Sequence, residues 1–205
     1  MDYSKPAEKA AVDKTIEALK AHKFLAEFVE SKEAAMARIK EIIPPGAKVM
    51  TGSSTTLNEI GFTDYLKSGG HPWDNLKDAV VAETDPAKQT ALRKQSIFSD
   101  YWLGSVHAVT VTGETVTASA SGSQLPAYAF TSPNVIWIVG TQKIVPDLEE
   151  AFKRIREYTF PLEDARMKSV NMGGSNIAKL LIQNNEPSWA QRKIHLIFVN
   201  EKLGF

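Results

Sequence analysis

Lys48-Val49-Met50-Thr51-Gly52-Ser53-Ser54-Thr55-Thr56-Leu57-Asn58-Glu59-Ile60-Gly61 reads as three pieces in succession: a short strand, a loop of glycine and hydroxyl residues, and a short helix that Gly61 ends. Strand, small polar loop and helix in that order make an α/β unit. The loop is also a candidate binding element. Backbone N–H groups and hydroxyls at a helix start can hold phosphate or carboxylate without a basic residue, and small residues let the ligand come close. Gly52, Ser53, Ser54, Thr55 and Thr56 are therefore expected to face an anion. The competing reading is local: Thr56 and Glu59 form a Thr-x-x-Glu capping box and bind nothing. The stretch is neither a Walker loop nor a Gly-x-Gly-x-x-Gly fingerprint, and no such pattern occurs elsewhere, so ATPase and dinucleotide-binding readings lose support. A Gly-x-Ser-x-Gly elbow is missing as well, which removes the usual serine hydrolase.

Upstream, residues 7–21 place Ala11, Ile16 and Leu19 at roughly helical spacing among lysines and glutamates, an amphipathic helix. Residues 24–29 form a short strand, and Ser31 caps a second helix that Pro44-Pro45-Gly46 stops after Ile43. Downstream, residues 68–72 are turn chemistry, and Asp85-Pro86 starts a helix running to about Ile97. Residues 106–112 and 115–119 alternate around Gly113-Glu114 as a hairpin. Asn134-Val135-Ile136-Trp137-Ile138-Val139-Gly140 is nearly all apolar, as expected of a strand buried on both faces of a parallel sheet. Pro146 opens an amphipathic helix ending near Tyr158, and residues 194–199 supply a last buried strand. The four tryptophans read as core and pocket lining.

The 205 residues carry 24 Lys+Arg against 24 Asp+Glu, 43% hydrophobic residues and no cysteine. That is the composition of one globular domain, residues 1–205, with a helix over about residues 5–21 as an appendage. Cysteine-ligated zinc, cysteine-ligated iron–sulfur clusters and thiolate nucleophiles are excluded. A zero net charge argues against nucleic acid and acidic membrane surfaces as partners. The N-terminal residues lack the apolar core of a signal peptide and no apolar run reaches spanning length, so the expected location is cytoplasmic.

Three further residues carry candidate chemistry. Lys143 follows the 134–140 strand, where open α/β sheets place ligands, although a lone loop lysine is usually solvated. Asp100 and Glu114 are candidate general bases if buried, and Glu114 could equally be a turn residue. His22, His71, His107 and His195 show no metal-ligand spacing, so no metal site and no cofactor is indicated. His107 stands out because it follows Asp100 and Gly104 at what looks like a loop-to-strand junction.

Five blocks taken together resemble one family. They are Thr51 through Gly61, Ser99-Asp-Tyr-Trp-Leu-Gly-Ser-Val-His-Ala108, Thr112-Gly-Glu114, Val139-Gly-Thr-Gln-Lys-Ile-Val145 and Asn200-Glu-Lys-Leu-Gly-Phe205. In order and spacing they look like the LUD-domain family, of the lactate-utilisation protein C type, from about Lys14 onward. The resemblance implies a fold like that of ribose-5-phosphate isomerase, glucosamine-6-phosphate deaminase and CoA transferases: a three-layer α/β/α Rossmann-like domain with a mostly parallel central sheet. By analogy within that fold, residues 52–56 would hold an anion, Asp100 or Glu114 would handle protons, and Lys143 would neutralise substrate charge. The family is linked to oxidation of L-lactate to pyruvate with separate iron–sulfur subunits. Many relatives carry cysteines after the last long helix, where this chain has Lys168-Ser-Val-Asn-Met-Gly-Gly-Ser-Asn176 and none, so any cluster would belong to an iron–sulfur partner subunit. A small anionic metabolite is the expected ligand, and a homodimer is expected by analogy. The competing functions are a stand-alone sugar-phosphate isomerase or CoA-type transferase, and a non-catalytic assembly or regulatory subunit.

Overall fold

The computed structural model describes residues 1–205. Helix α1 (Lys9–Ala21) leads into strand β1 (Leu25–Val29). Ser31 caps α2 (Lys32–Ile42), its Oγ accepting from the Ala34 N–H at 3.3 Å, and the chain turns into β2 (Lys48–Thr51). Then come α3 (Thr55–Glu59) and α4 (Phe62–Lys67), separated by Gly61 at φ +78°, a conformation that only glycine adopts without strain. Strand β3 (Asp74–Asn75) and α5 (Leu76–Ala82) follow. Asp85 caps α6 (Pro86–Gln95), with Pro86 in its first turn, as the sequence requires. The rest of the chain gives β4 (Tyr101–Gly104), β5 (Ala108–Thr110), β6 (Thr115–Ser119), β7 (Asn134–Gly140) and β8 (Ile144–Val145). Helices α7 (Leu148–Arg154) and α8 (Phe160–Ser169), then β9 (Lys179–Gln183) and β10 (Lys193–Val199), complete it.

Six strands form the central sheet in the order β1-β10-β7-β4-β2-β3, every pair parallel. The alternation along β7 shows how the layers arise. Val135, Trp137 and Val139 share a core with Val12, Ile16 and Leu19 of α1 and Val80 of α5. Ile136 and Ile138 point the other way, into a core with Ala35 and Ile39 of α2, Leu57 of α3 and Phe62 of α4. A strand apolar at every position is what a sheet covered on both faces needs, and the result is a three-layer α/β/α arrangement. A second sheet, β8-β5-β6-β9, packs on the α1 side through Val109 and Ile144. Its other face meets α7, where Ala108, Val116 and Val145 join Ala151 and Ile155.

Several local expectations need amending. Helix α1 buries Val12, Thr15, Ile16 and Leu19, so it is part of the core rather than an appendage. The 99–108 junction contains β4, an inner strand of the central sheet, and the hairpin's first strand is only three residues long. The helix expected to end near Tyr158 continues to Ser169 through one widened turn, Ile155–Thr159. Pro161 lies just beyond it, and a wider turn accommodates a residue that lacks an N–H. Three tryptophans are buried, but Trp189 is 81% exposed.

Candidate functional site

Because β2, β4 and β7 are parallel neighbours, their carboxyl ends lie along one edge of the sheet, where such folds hold ligands. The chain leaving β2 is Gly52 to Thr56, that leaving β4 is Ser105 to His107, and that leaving β7 is Thr141 to Lys143. These three exits enclose a cavity of about 430 Å³. Its remaining walls come from β6 and the polar turn after it, from the 155–167 stretch of helix, and from residues 172–177.

Lys143 is the residue around which the cavity is organised. Its side chain is 2% exposed, and Nζ donates to Thr56 Oγ1 at 3.0 Å and Ser105 Oγ at 2.9 Å. Both hydroxyls spend their own hydrogens on backbone carbonyls: Ser105 on Ile138 at 2.6 Å, and Thr56 on Leu203 at 3.4 Å. They can therefore only accept from the lysine. Burial pushes the Lys143 ammonium down to about 7, with the Arg154 charge acting in the same direction and Glu59 opposing both. Losing hydration is the dominant cause, because an ammonium removed from water loses more than two neutral hydroxyls return.

Arg154 deepens the positive character of this region. It is fully buried, and Nη1 donates to the His107 carbonyl at 2.5 Å and Thr159 Oγ1 at 2.8 Å. Its Nε and Nη2 have no hydrogen-bond partner. The guanidinium lies 5.3 Å from the Tyr158 ring and 5.9 Å from that of Tyr3. Neither Lys143 nor Arg154 forms an ion pair. His107, in the cavity wall, accepts from the Ala118 N–H through Nδ1 at 3.1 Å. Burial first, then Lys143 and Arg154, hold its ring down to about 3. The imidazole is thus neutral with its hydrogen on Nε2, a donor.

The loop after β2 behaves partly as expected. Ser54 caps α3, its Oγ accepting from the Leu57 N–H at 3.3 Å. The Thr56–Glu59 capping box does not form. Thr56 holds Lys143 instead, and Glu59 accepts from the Gly204 N–H at 2.6 Å. The N–H groups of Ser53 and Ser54 and the hydroxyls of Ser53 and Thr55 donate to no protein acceptor. All of these residues line the cavity.

Asp100 and Glu114 lie elsewhere. Asp100 precedes β4, at the opposite edge of the sheet, where Oδ2 accepts from the Lys48 N–H at 2.8 Å and ties β2 to β4. A residue before a parallel strand cannot reach the edge where that strand ends. Glu114 closes the β5–β6 turn, accepting from the hydroxyls of Thr112 at 2.6 Å and of Thr110. Burial raises its carboxyl, but these bonds together hold it below the usual carboxylate range. Neither residue lines the cavity. The carboxylate that does, Glu163, is engaged with Arg166 at 2.7 Å.

Sequence reasoning missed Ser105, Arg154 and the segment Leu203-Gly204-Phe205. Ser105 lies inside the Ser99–Ala108 block quoted for the resemblance, but nothing in the local pattern assigns its hydroxyl a role until β4 and β7 place it beside Lys143. Gly204 sits at φ +64° against Thr56 and Lys143: a Cβ there would overlap Thr56 Oγ1 and lie 3.4 Å from Lys143 Nζ. Gln142 fixes this segment, its Nε2 donating to the Leu203 carbonyl at 2.8 Å, and Phe205 lines the cavity.

Four of the five sequence blocks singled out above, all but the 112–114 turn, thus contribute to the cavity. The LUD domain family model matches residues 12–199. The fold is similar to the crystal structure of a DUF162 family protein from Deinococcus radiodurans, with a TM-score of 0.56 and 14% identity over 95% of this chain and 100% of that one. No curated protein matches the chain. No helix is long and apolar enough to cross a membrane. The chain belongs to the LUD-domain family, which places it broadly among lactate-utilisation-type proteins.

Proposed function

We propose that this LUD-domain protein binds a small anionic metabolite in the cavity at the carboxyl ends of β2, β4 and β7. Lys143 supplies the charge, and Ser53, Ser54 and Thr55 supply neutral donors. The single observation that carries this reading is the excess of positive charge and donors over acceptors. Lys143, buried in the cavity wall, has no ion-pair partner, two loop N–H groups and two hydroxyls lining the same cavity are unengaged, and Arg154, which bonds the His107 carbonyl without lining the cavity, is unpaired as well. A carboxylate or phosphate would meet that excess, and charge-assisted bonds are the stronger kind.

A stand-alone isomerase needs a free carboxylate beside the bound substrate to move protons. Glu163 is tied to Arg166, and Asp100 and Glu114 are held outside the cavity, so the binding of an organic acid is favoured over sugar-phosphate isomerisation. With no cysteine in the chain, any cysteine-ligated iron–sulfur cluster in the same reaction sequence sits on a partner subunit.

The test is a thermal-shift series with oxalate, lactate, pyruvate, ribose 5-phosphate and a CoA thioester. A ligand at about 100 times its dissociation constant adds roughly 2.7 kcal/mol. For a domain of this size that is about 5–11 °C. The reading expects a shift with an anion that is lost in Lys143→Met. If every anion leaves the wild-type melting temperature in place, the proposal is wrong.

A further inference from the structure

The bonding around Lys143 is more specific than charge neutralisation demands. An amine has two hydrogens and one lone pair. Here Thr56 Oγ1 and Ser105 Oγ offer two acceptor positions, each on a hydroxyl whose own hydrogen is already committed to a backbone carbonyl. Neutral Lys143 satisfies both with its two hydrogens and keeps its lone pair free of any protein donor, and the residue lines the cavity. Ser53 and Thr55 provide donors for a carboxylate in the same cavity, and His107 provides a neutral Nε2–H for a carbonyl oxygen.

We infer that Lys143 is a nucleophile, forming an imine with the carbonyl carbon of a small 2-oxo acid whose carboxylate is held by the loop after β2. The inference rests on the anion-site reading above and adds the substrate class and the covalent step. Nζ attacks the carbonyl carbon to give a carbinolamine, the C–O bond then breaks, and the amine's two hydrogens leave with the oxygen as water. The C=N bond replaces the C=O bond and nothing is oxidised or reduced. The iminium that forms on protonation places its charge beside the substrate's own carboxylate, so the adduct does not bury an unpaired cation.

The ionisation of the amine supports the step. With Lys143 held near 7 by burial, the free-amine fraction at neutral pH exceeds that of a surface lysine by about a thousandfold. Lys77 is a useful internal comparison. Burial lowers it too, but its Nζ donates to the Gly52 carbonyl at 2.7 Å and it does not line the cavity.

The experiment is reductive trapping. The intact chain is incubated near pH 7.5 with pyruvate and cyanoborohydride and digested, and the lysine adducts are mapped by mass spectrometry. The expected result is a single adduct on Lys143, on the order of a hundredfold above any other lysine, Lys77 included. It should be absent from folded Lys143→Arg and Lys143→Met, the second variant covering misfolding of the first. Acetone, which has the ketone without the carboxylate, should label Lys143 far more slowly than pyruvate does. No adduct, or adducts scattered over surface lysines, overturns the inference, and equal labelling by acetone overturns the 2-oxo acid assignment. Oxalate, an anion without an electrophilic ketone, separates the two levels. If oxalate raises the melting temperature and pyruvate is never trapped, the imine fails and the anion site stands. If neither occurs, both fail.

Discussion

Replacing Lys143 by methionine should stabilise the protein at neutral pH, and the gain should vanish as the pH rises. The unfolded chain holds its lysine proton up to about 10.5, whereas the folded chain releases it near 7. Between those values the unfolded state binds more protons, so wild-type stability rises with pH at a slope of up to about 1.4 kcal/mol per unit. At pH 7 the buried amine costs up to about 4 kcal/mol, and at pH 9 about 2 kcal/mol. Methionine fills a similar volume and carries no such cost. It leaves the Thr56 and Ser105 hydroxyls without their donor, a loss of about 1 kcal/mol each. Lys143→Met is therefore expected to be about 2 kcal/mol more stable at pH 7 and nearly equal to wild type at pH 9. That is a rise in melting temperature of about 4–8 °C at pH 7. Urea unfolding of both proteins at pH 7, 8 and 9 at constant ionic strength reads the difference, and other titrating groups cancel in it. A constant gap across that range, of either sign, would refute the assignment of a depressed ammonium at residue 143.

Three other outcomes follow from particular contacts. His107, held near 3, leaves the folded state short of a proton that the unfolded state takes up below about 6.5, so stability should fall as pH drops from 6.5 towards 3. His107→Gln should flatten that fall by about 1 kcal/mol per pH unit in urea titrations at pH 6 and 5, and parallel slopes would remove the histidine from the acid limb. Gly104→Ala puts a methyl group onto Tyr128 Oη and should cost about 1–3 kcal/mol, with Tyr128→Phe restoring part of the loss in the double variant. Ser54→Ala removes the cap of α3 and should cost about 1 kcal/mol by chemical denaturation, and an unchanged midpoint would mean that the Leu57 bond is not formed in solution.

The parts of the fold legible in the sequence are those where one local signal and the tertiary setting agree. The β7 run is apolar at every position because both of its faces are covered, and Asp85-Pro86 starts a helix because a cap and a fixed φ need no distant partner. The parts that were not legible depend on neighbours far along the chain. Strand β4 is four residues long and ends in Gly104, and nothing in its pattern separates it from a turn until β2 and β7 flank it. Strand β9 is an edge strand with exposed Leu180 and Ile182, and its only pairing is with β6, at least 60 residues earlier in the chain. The helix opened at Pro146 runs past Tyr158 because a widened turn, Ile155–Thr159, carries it over Pro161 into α8.

The same distinction explains the site. That residues 52–56 and Lys143 line the cavity could be expected in advance, because the exit of a parallel strand is a fixed address in this kind of sheet. Asp100 has the chemistry of a base and the wrong end of its strand, and that error follows directly from not seeing where β4 begins. Thr56 shows the limit most clearly. Its spacing to Glu59 is that of a capping box, and both residues are taken by contacts 87 and 145 positions away in sequence, Lys143 and Gly204. A local motif therefore marked a loop that lines the cavity while misassigning the contacts of Thr56 and Glu59. The reason is energetic: the buried amine of Lys143 needs acceptors more than a five-residue helix needs a second cap, since α3 already has Ser54. The hydroxyl that a cap would use is instead what holds the lysine in place, so the loop after β2 and the amine are joined directly in one cavity wall.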